Sequence, residues 1–196
     1  LSSNLVNNIF WSGRPVRNLC PVKGGSTLYG PNMYFVSNRN FEAQADTFFL
    51  VEINDTIGAP GYAVTVKQLN SNADYFMAGD ARQQSPHTFA TNDSRVLGAF
   101  LENNRIQFVH NCKDTATGFT GLYHGVIQNP ASVNPMVTGQ VIADTTLDLG
   151  YPNISYAGNS TTDHLAIITF DHSNPTIRAG VSAIKTDGNG NYSNIL

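Results

Sequence analysis

The chain has 196 residues, and only 13% of them are charged, against roughly 25% in an average soluble domain. Its formal net charge is −3 and its 11 Lys and Arg are scattered, which argues against a basic nucleic-acid surface. No run approaches the roughly 18 apolar residues of a membrane helix, so no membrane span of that kind is expected. Asn, Gly, Thr and Ser fill the charge deficit, a weakly charged polar composition of the kind met in secreted β-proteins.

Residues 1–32 are poorly patterned. Leu5, Val6, Ile9, Phe10 and Trp11 form an apolar cluster that reads as one strand, and Pro15, Pro21, Gly24, Gly25, Gly30 and Pro31 then interrupt the chain. Strands are expected at Met33–Ser37, Thr47–Ile53, Tyr62–Leu69 and Asp74–Ala78. A polar interval, GDARQQSPHTFATNDS, follows at residues 79–94. Pro86 argues against helix there, with at most one helical turn at Ala81–Ser85.

Val96–Leu101, Ile106–His110 and Gly121–Ile127 form a three-stranded antiparallel meander. Its first turn, Glu102-Asn103-Asn104, uses the tolerance of Asn for a left-handed backbone. Further strands are read at Met136–Ala143, Tyr151–Ala157, Leu165–Phe170 and Ile177–Lys185, with a last one at Tyr192–Leu196.

Three stretches share a pattern of an aromatic, a small apolar residue, one more residue and Asn, then a polar loop and an apolar strand. Their aromatics are Phe35, Phe108 and Tyr156. The last two are separated by roughly the 40–50 residues of a propeller blade, while the first interval is longer. The resulting expectation is one all-β domain over residues 1–196, with an irregular segment 1–32, built as antiparallel meander repeats. About four blades of a β-propeller would use this length. A two-sheet sandwich or jelly roll is the alternative. The chain begins at Leu1 without a leader pattern and ends inside an expected strand. It is therefore read as part of a larger ring, completed by further blades of the same protein or by another chain.

The phrases YFVSNRNFEAQADTFFLVEI, NDSRVLGAFLENNRIQFVHN, GLYHGVI and DLGYPNISYAG resemble the repeats of large secreted β-propeller proteins of Bacteroidetes-type bacteria. The resemblance spans about residues 30–196 and is one of texture. It implies an extracellular, surface-associated protein and brings no catalytic set to transfer. The sialidase-type Asp-box is absent, since the single Trp, Trp11, stands in another context, and WD and kelch signatures are missing.

Candidate chemistry is sparse. Asp80, Arg82, Asp93 and Arg95 gather in and beside the polar interval. Two carboxylates suit glycoside hydrolysis, and an Arg suits an anionic substrate. The same four residues would equally brace a loop by pairing with each other.

His110 and His124 would face each other across adjacent strands if they shared a metal, but none of the five His forms a close metal-binding spacing. Asp187, Asn189 and Asn191 alternate as in the start of a calcium loop, although a Gly/Asn hairpin turn explains them too. Cys20 and Cys112 are candidates for one disulfide in an oxidising compartment, or for two thiols. The N-x-S/T triplets at Asn54, Asn92, Asn153, Asn159 and Asn191 would matter only in a glycosylating host.

The expected function is an extracellular binding or structural module of a secreted bacterial surface protein. It would recognise glycan or protein, with calcium the one cofactor in view. A polysaccharide-acting glycoside hydrolase and a viral capsid or spike protein are the alternatives.

Overall fold

Alternation of apolar and polar residues runs through most of this chain, and it is realised as strands. The computed structural model describes residues 10–11, 14–16, 18–24, 32–55, 58–160 and 162–195, and among these there is no helix. The expected contributions of Leu5, Val6, Ile9 and Leu196 lie outside the described residues.

Strands β1 (Phe10–Trp11) and β2 (Arg14–Pro15) pair with each other. The main sheet contains β3 (Cys20–Pro21), β4 (Lys23–Gly24), β5 (Met33–Asn38), β6 (Gln44–Ile53), β7 (Val64–Phe76), β8 (Val96–Glu102), β9 (Arg105–Lys113), β10 (Thr120–Gln128) and β11 (Met136–Ile142). Their order across the sheet is β3-β5-β6-β7-β11-β10-β9-β8-β4. A smaller sheet holds β12 (Asp148–Tyr156), β13 (Ala166–Asn174) and β14 (Ile177–Thr186), in that order.

The two edges of the main sheet, β3 and β4, are separated in sequence only by Val22. Cys20 pairs with Val36 of β5 on one side, and Lys23 pairs in parallel with Phe100 of β8 on the other. One short segment thus links both edges and curls the sheet into a nearly closed barrel. Val22, Val36, Phe48, Leu50, Leu69, Tyr75, Ile106, Phe108, Tyr123 and Ile127 belong to the core enclosed by it. Alternate residues point outward. Phe100, Val109 and Leu122 meet Leu149, Ile154, Ile168, Phe170 and Ile184 of the small sheet in a second core. Phe49 and Val51 form a third cluster with Val16.

Two close approaches show why glycine stands inside these strands. A Cβ on Gly125 would collide with the Phe108 ring, and one on Gly139 with the Tyr123 ring and hydroxyl. Both large rings lie across the barrel interior where a neighbouring strand leaves no side chain.

The all-β expectation agrees with this architecture. Four separate four-stranded blades do not describe it, because one continuous sheet joins β3 to β11. The three aromatics that suggested a repeat also occupy different layers. Phe35 packs in the third cluster, Phe108 in the barrel interior and Tyr156 against the second core. Local likeness in loop composition produced that pattern without a shared tertiary role. The two strands read at Tyr62–Leu69 and Asp74–Ala78 are one, β7, with a register irregularity opposite Ala45–Thr47. The expected last strand is reduced to a bridge between Thr186 and Tyr192. No helical turn forms at Ala81–Ser85, where Ala81 bridges Phe89 instead.

Candidate functional site

The polar interval after β7 is a brace. Arg82 Nε donates to Asp148 at 2.7 Å, and the guanidinium lies 3.3 Å from the centre of the Phe119 ring. Asp148 is buried and also accepts from the backbone N–H groups of Arg82 and Thr120. Arg95 grips Asp93 with two side-chain bonds of 2.7 and 2.6 Å, and Asn40 adds a third donor at 3.0 Å. Burial opposes ionisation of Asp93, but the bonds from Arg95 and Asn40 prevail and hold its carboxyl below the usual range. Asp80 accepts from Thr88. The four residues therefore split between separate partners. Asp80 and Asp93 show no shared hydrogen-bond partner of the kind a paired carboxylate site would have.

Tyr151 stands near this brace with φ +47°, on the irregular part of β12, and its ring meets Phe89 at 5.9 Å. Its N–H donates to Asn111, whose amide donates in turn to Thr91 O.

The two strand histidines fall on opposite faces. His110 pairs with Tyr123 and His124 with Val109, so the side chains alternate and hold no metal between them. His110 is in the barrel interior, stacked 4.7 Å from Tyr123 and edge-on to Tyr75 at 4.8 Å. His124 points outward. Cys20 and Cys112 are free thiols buried in the barrel core. Burial pushes the Cys20 thiol up to about 11, and Cys112 is raised further.

Asp187, Asn189 and Asn191 come together in one turn, but with their polar atoms engaged. Asp187 accepts from the backbone N–H groups of Asn189 and Asn191 and from the Asn191 amide at 2.7 Å. Asn189 Oδ1 accepts from Arg105 at 2.8 Å. Gly188 and Gly190 have φ of +70° and +97°, which makes this a left-handed turn closed on its own carboxylate. Among the described residues no group of three or more His, Cys, Asp and Glu is placed to hold a metal.

That turn forms one wall of a groove of about 330 Å³ on the outer face of β10 and β11. The cross-strand pairs His124–Gln140 and Val126–Thr138 give the floor. Asn72 of β7 flanks it, fixed by accepting from Gly139 N–H at 2.8 Å. Asn189 and Tyr192 stand on the opposite side.

Beneath the groove runs a chain of bonds whose directions are set by one carbonyl. His164 O can only accept, so Gln107 turns its amide nitrogen toward it at 2.7 Å. The Gln107 oxygen then faces His124 Nε2 at 3.0 Å, which places the proton on Nε2. His124 Nδ1 is left to accept from the Tyr192 hydroxyl at 2.8 Å. Burial depresses His124 to about 4, so the ring is neutral at physiological pH and keeps this tautomer. Tyr192 thus has its proton committed and presents only oxygen lone pairs to a ligand.

Sequence reasoning missed Gln107, Gln140, Asn72 and Tyr192. The alternation of β10 and β11 identified outward faces, but the small sheet that folds the Asp187–Tyr192 turn over them is a long-range event. No protein-family model, curated protein or solved structure matches this chain.

Proposed function

We propose that the protein is a non-catalytic recognition module that binds neutral glycan in the groove over β10 and β11, as part of a secreted or cell-surface protein. The observation that carries this reading is the groove's lining. Gln128 and Gln140 supply amides with both donors and acceptors, Asn72 and Asn189 amide N–H groups whose oxygens already accept from Gly139 and Arg105, Thr138 a hydroxyl, and Tyr192 an aromatic ring. Among the described residues no Asp, Glu, Lys or Arg lines it, and His124 is held neutral. Such a surface complements sugar hydroxyls and offers nothing to a strongly charged ligand. The volume falls at the lower end of the range for small-ligand sites, roughly 300–1,000 Å³. Weak charge across the whole chain supports an extracellular setting.

The braced state of Asp80 and Asp93 favours binding over hydrolysis at those residues. Titration of a panel of neutral mono- and disaccharides, followed by backbone amide NMR shifts, tests the proposal. Shifts should cluster at residues 124–128, 138–140 and 188–192, and Gln140→Ala should weaken binding at least tenfold. Asp80→Asn and Asp93→Asn should leave it unchanged. Shifts confined to the Phe89–Tyr151 face, or binding only of peptides, would overturn the reading.

A further inference from the structure

A second cavity, of about 380 Å³, opens where the core between barrel and small sheet reaches solvent. Among the described residues its lining mixes apolar side chains with the polar Asp144, Ser193 and Asn194. Ile142 and Leu149 border it, with Phe170 of β13 and Ile184 of β14. Leu149, Phe170 and Ile184 are nearly inaccessible members of the second core behind it, and the apolar side chains left accessible are the half-buried Ile142 and Tyr192 and the exposed Ile195. Asp144, the one carboxylate side chain on the lining among the described residues, is turned into its own loop, where it accepts from Thr146 and Leu147.

Tyr192 is the residue common to this cavity and the polar groove. Its hydroxyl is anchored to His124 on the groove side, and its ring meets the imidazole edge-on at 5.8 Å. The chain after it, Ser193 to Ile195, continues along the second cavity, held by bonds between Ser193 and Lys185. One side chain therefore stands between a hydroxyl-matching groove and a cavity of mixed lining whose accessible apolar side chains include Ile142 and Ile195.

We infer that the two cavities form a single composite site for an amphipathic glycoside, with the sugar in the groove and an apolar aglycone beyond Tyr192 against Ile142 and Ile195. This rests on the glycan reading of the groove and adds the class of ligand to it. An aglycone there removes its own apolar surface from water together with that of Ile142 and Ile195, which favours it over a bare sugar.

The test compares methyl and phenyl glycosides of glucose, galactose, mannose and N-acetylglucosamine by calorimetry on the full chain. For the sugar that binds, the phenyl glycoside should bind at least tenfold tighter than the methyl one, about 1.4 kcal/mol. Ala143 lines the second cavity from an exposed position, so Ala143→Trp fills it without disturbing the buried core. That variant should lose the phenyl advantage and keep methyl glycoside affinity, with its melting temperature confirming an intact fold.

Equal methyl and phenyl affinities, or a phenyl advantage that survives Ala143→Trp, would overturn the composite site and leave the groove reading standing. Failure of every methyl and phenyl glycoside to bind would overturn the groove reading and the composite site with it.

Discussion

His110 sits between the Tyr75 and Tyr123 rings with its Nε2 unpartnered, and burial pushes its pKa down to about 4. His124 is depressed to a similar value by the same cause. An unfolded chain binds these protons near pH 6.5, whereas the folded chain refuses them until about pH 4. The stability due to the neutral rings is therefore fully present above pH 6.5 and is lost as pH falls toward 4. At pH 5 each histidine should lower stability by roughly 2 kcal/mol relative to pH 8. Urea midpoints at the two pH values measure this, and His110→Phe should remove about half of the difference. A midpoint that does not move between pH 8 and 5 would refute the burial argument. The glycine contacts give a second residue-scale expectation. Gly125→Ala forces the Phe108 ring aside in a filled interior and should destabilise by about 1–3 kcal/mol, read from the same urea curves.

Turns and strands were legible to different degrees. Asn103 and Asn104 adopt φ of +47° and +59°, joining Glu102 and Arg105 through the two-residue turn that their composition predicts. The meander of β8, β9 and β10 is where local alternation placed it, because hairpins are decided by neighbours in sequence. Local pattern splits strand β7 in two, since the polar stretch Asn70–Ala73 lies where its pairing with β6 shifts register. Segment 1–32 carries no legible pattern because two-residue strands have no periodicity, although β3 and β4 lie within it. The Asp187–Tyr192 turn was legible as a turn and not as a groove wall. Gly188 has a positive φ and lies against Gln107 and His164, so an added Cβ meets both. Gly188→Ala should therefore displace the turn and weaken glycoside binding severalfold, with a melting temperature reduced by only a few degrees. Unchanged affinity in that variant would show that the turn does not shape the groove.

Closure of the barrel is the property that no local pattern announces. It depends on Cys20–Gly24 reaching β5 and β8 at once, two strands far apart in sequence. Val22 is the hinge of this segment. Its N–H donates to Tyr34 O at 3.0 Å, and its side chain is 4% exposed within the barrel core. Val22→Asp puts a carboxylate there, against Tyr34, Val36 and their neighbours in the core. Such a carboxylate must either be protonated or pull the segment out of the barrel. The second outcome strips β5 and β8 of their edge partner and exposes two rows of backbone donors and acceptors to other chains. The variant should lose at least roughly 3 kcal/mol in urea unfolding, and it should form oligomers on size exclusion. Val181→Asp, at a side chain 74% exposed on β14, introduces the same charge where water already solvates it and should change neither measurement. Equal behaviour of the two variants would mean that the barrel is held by β5 to β11 alone and that Cys20–Gly24 only rests on it.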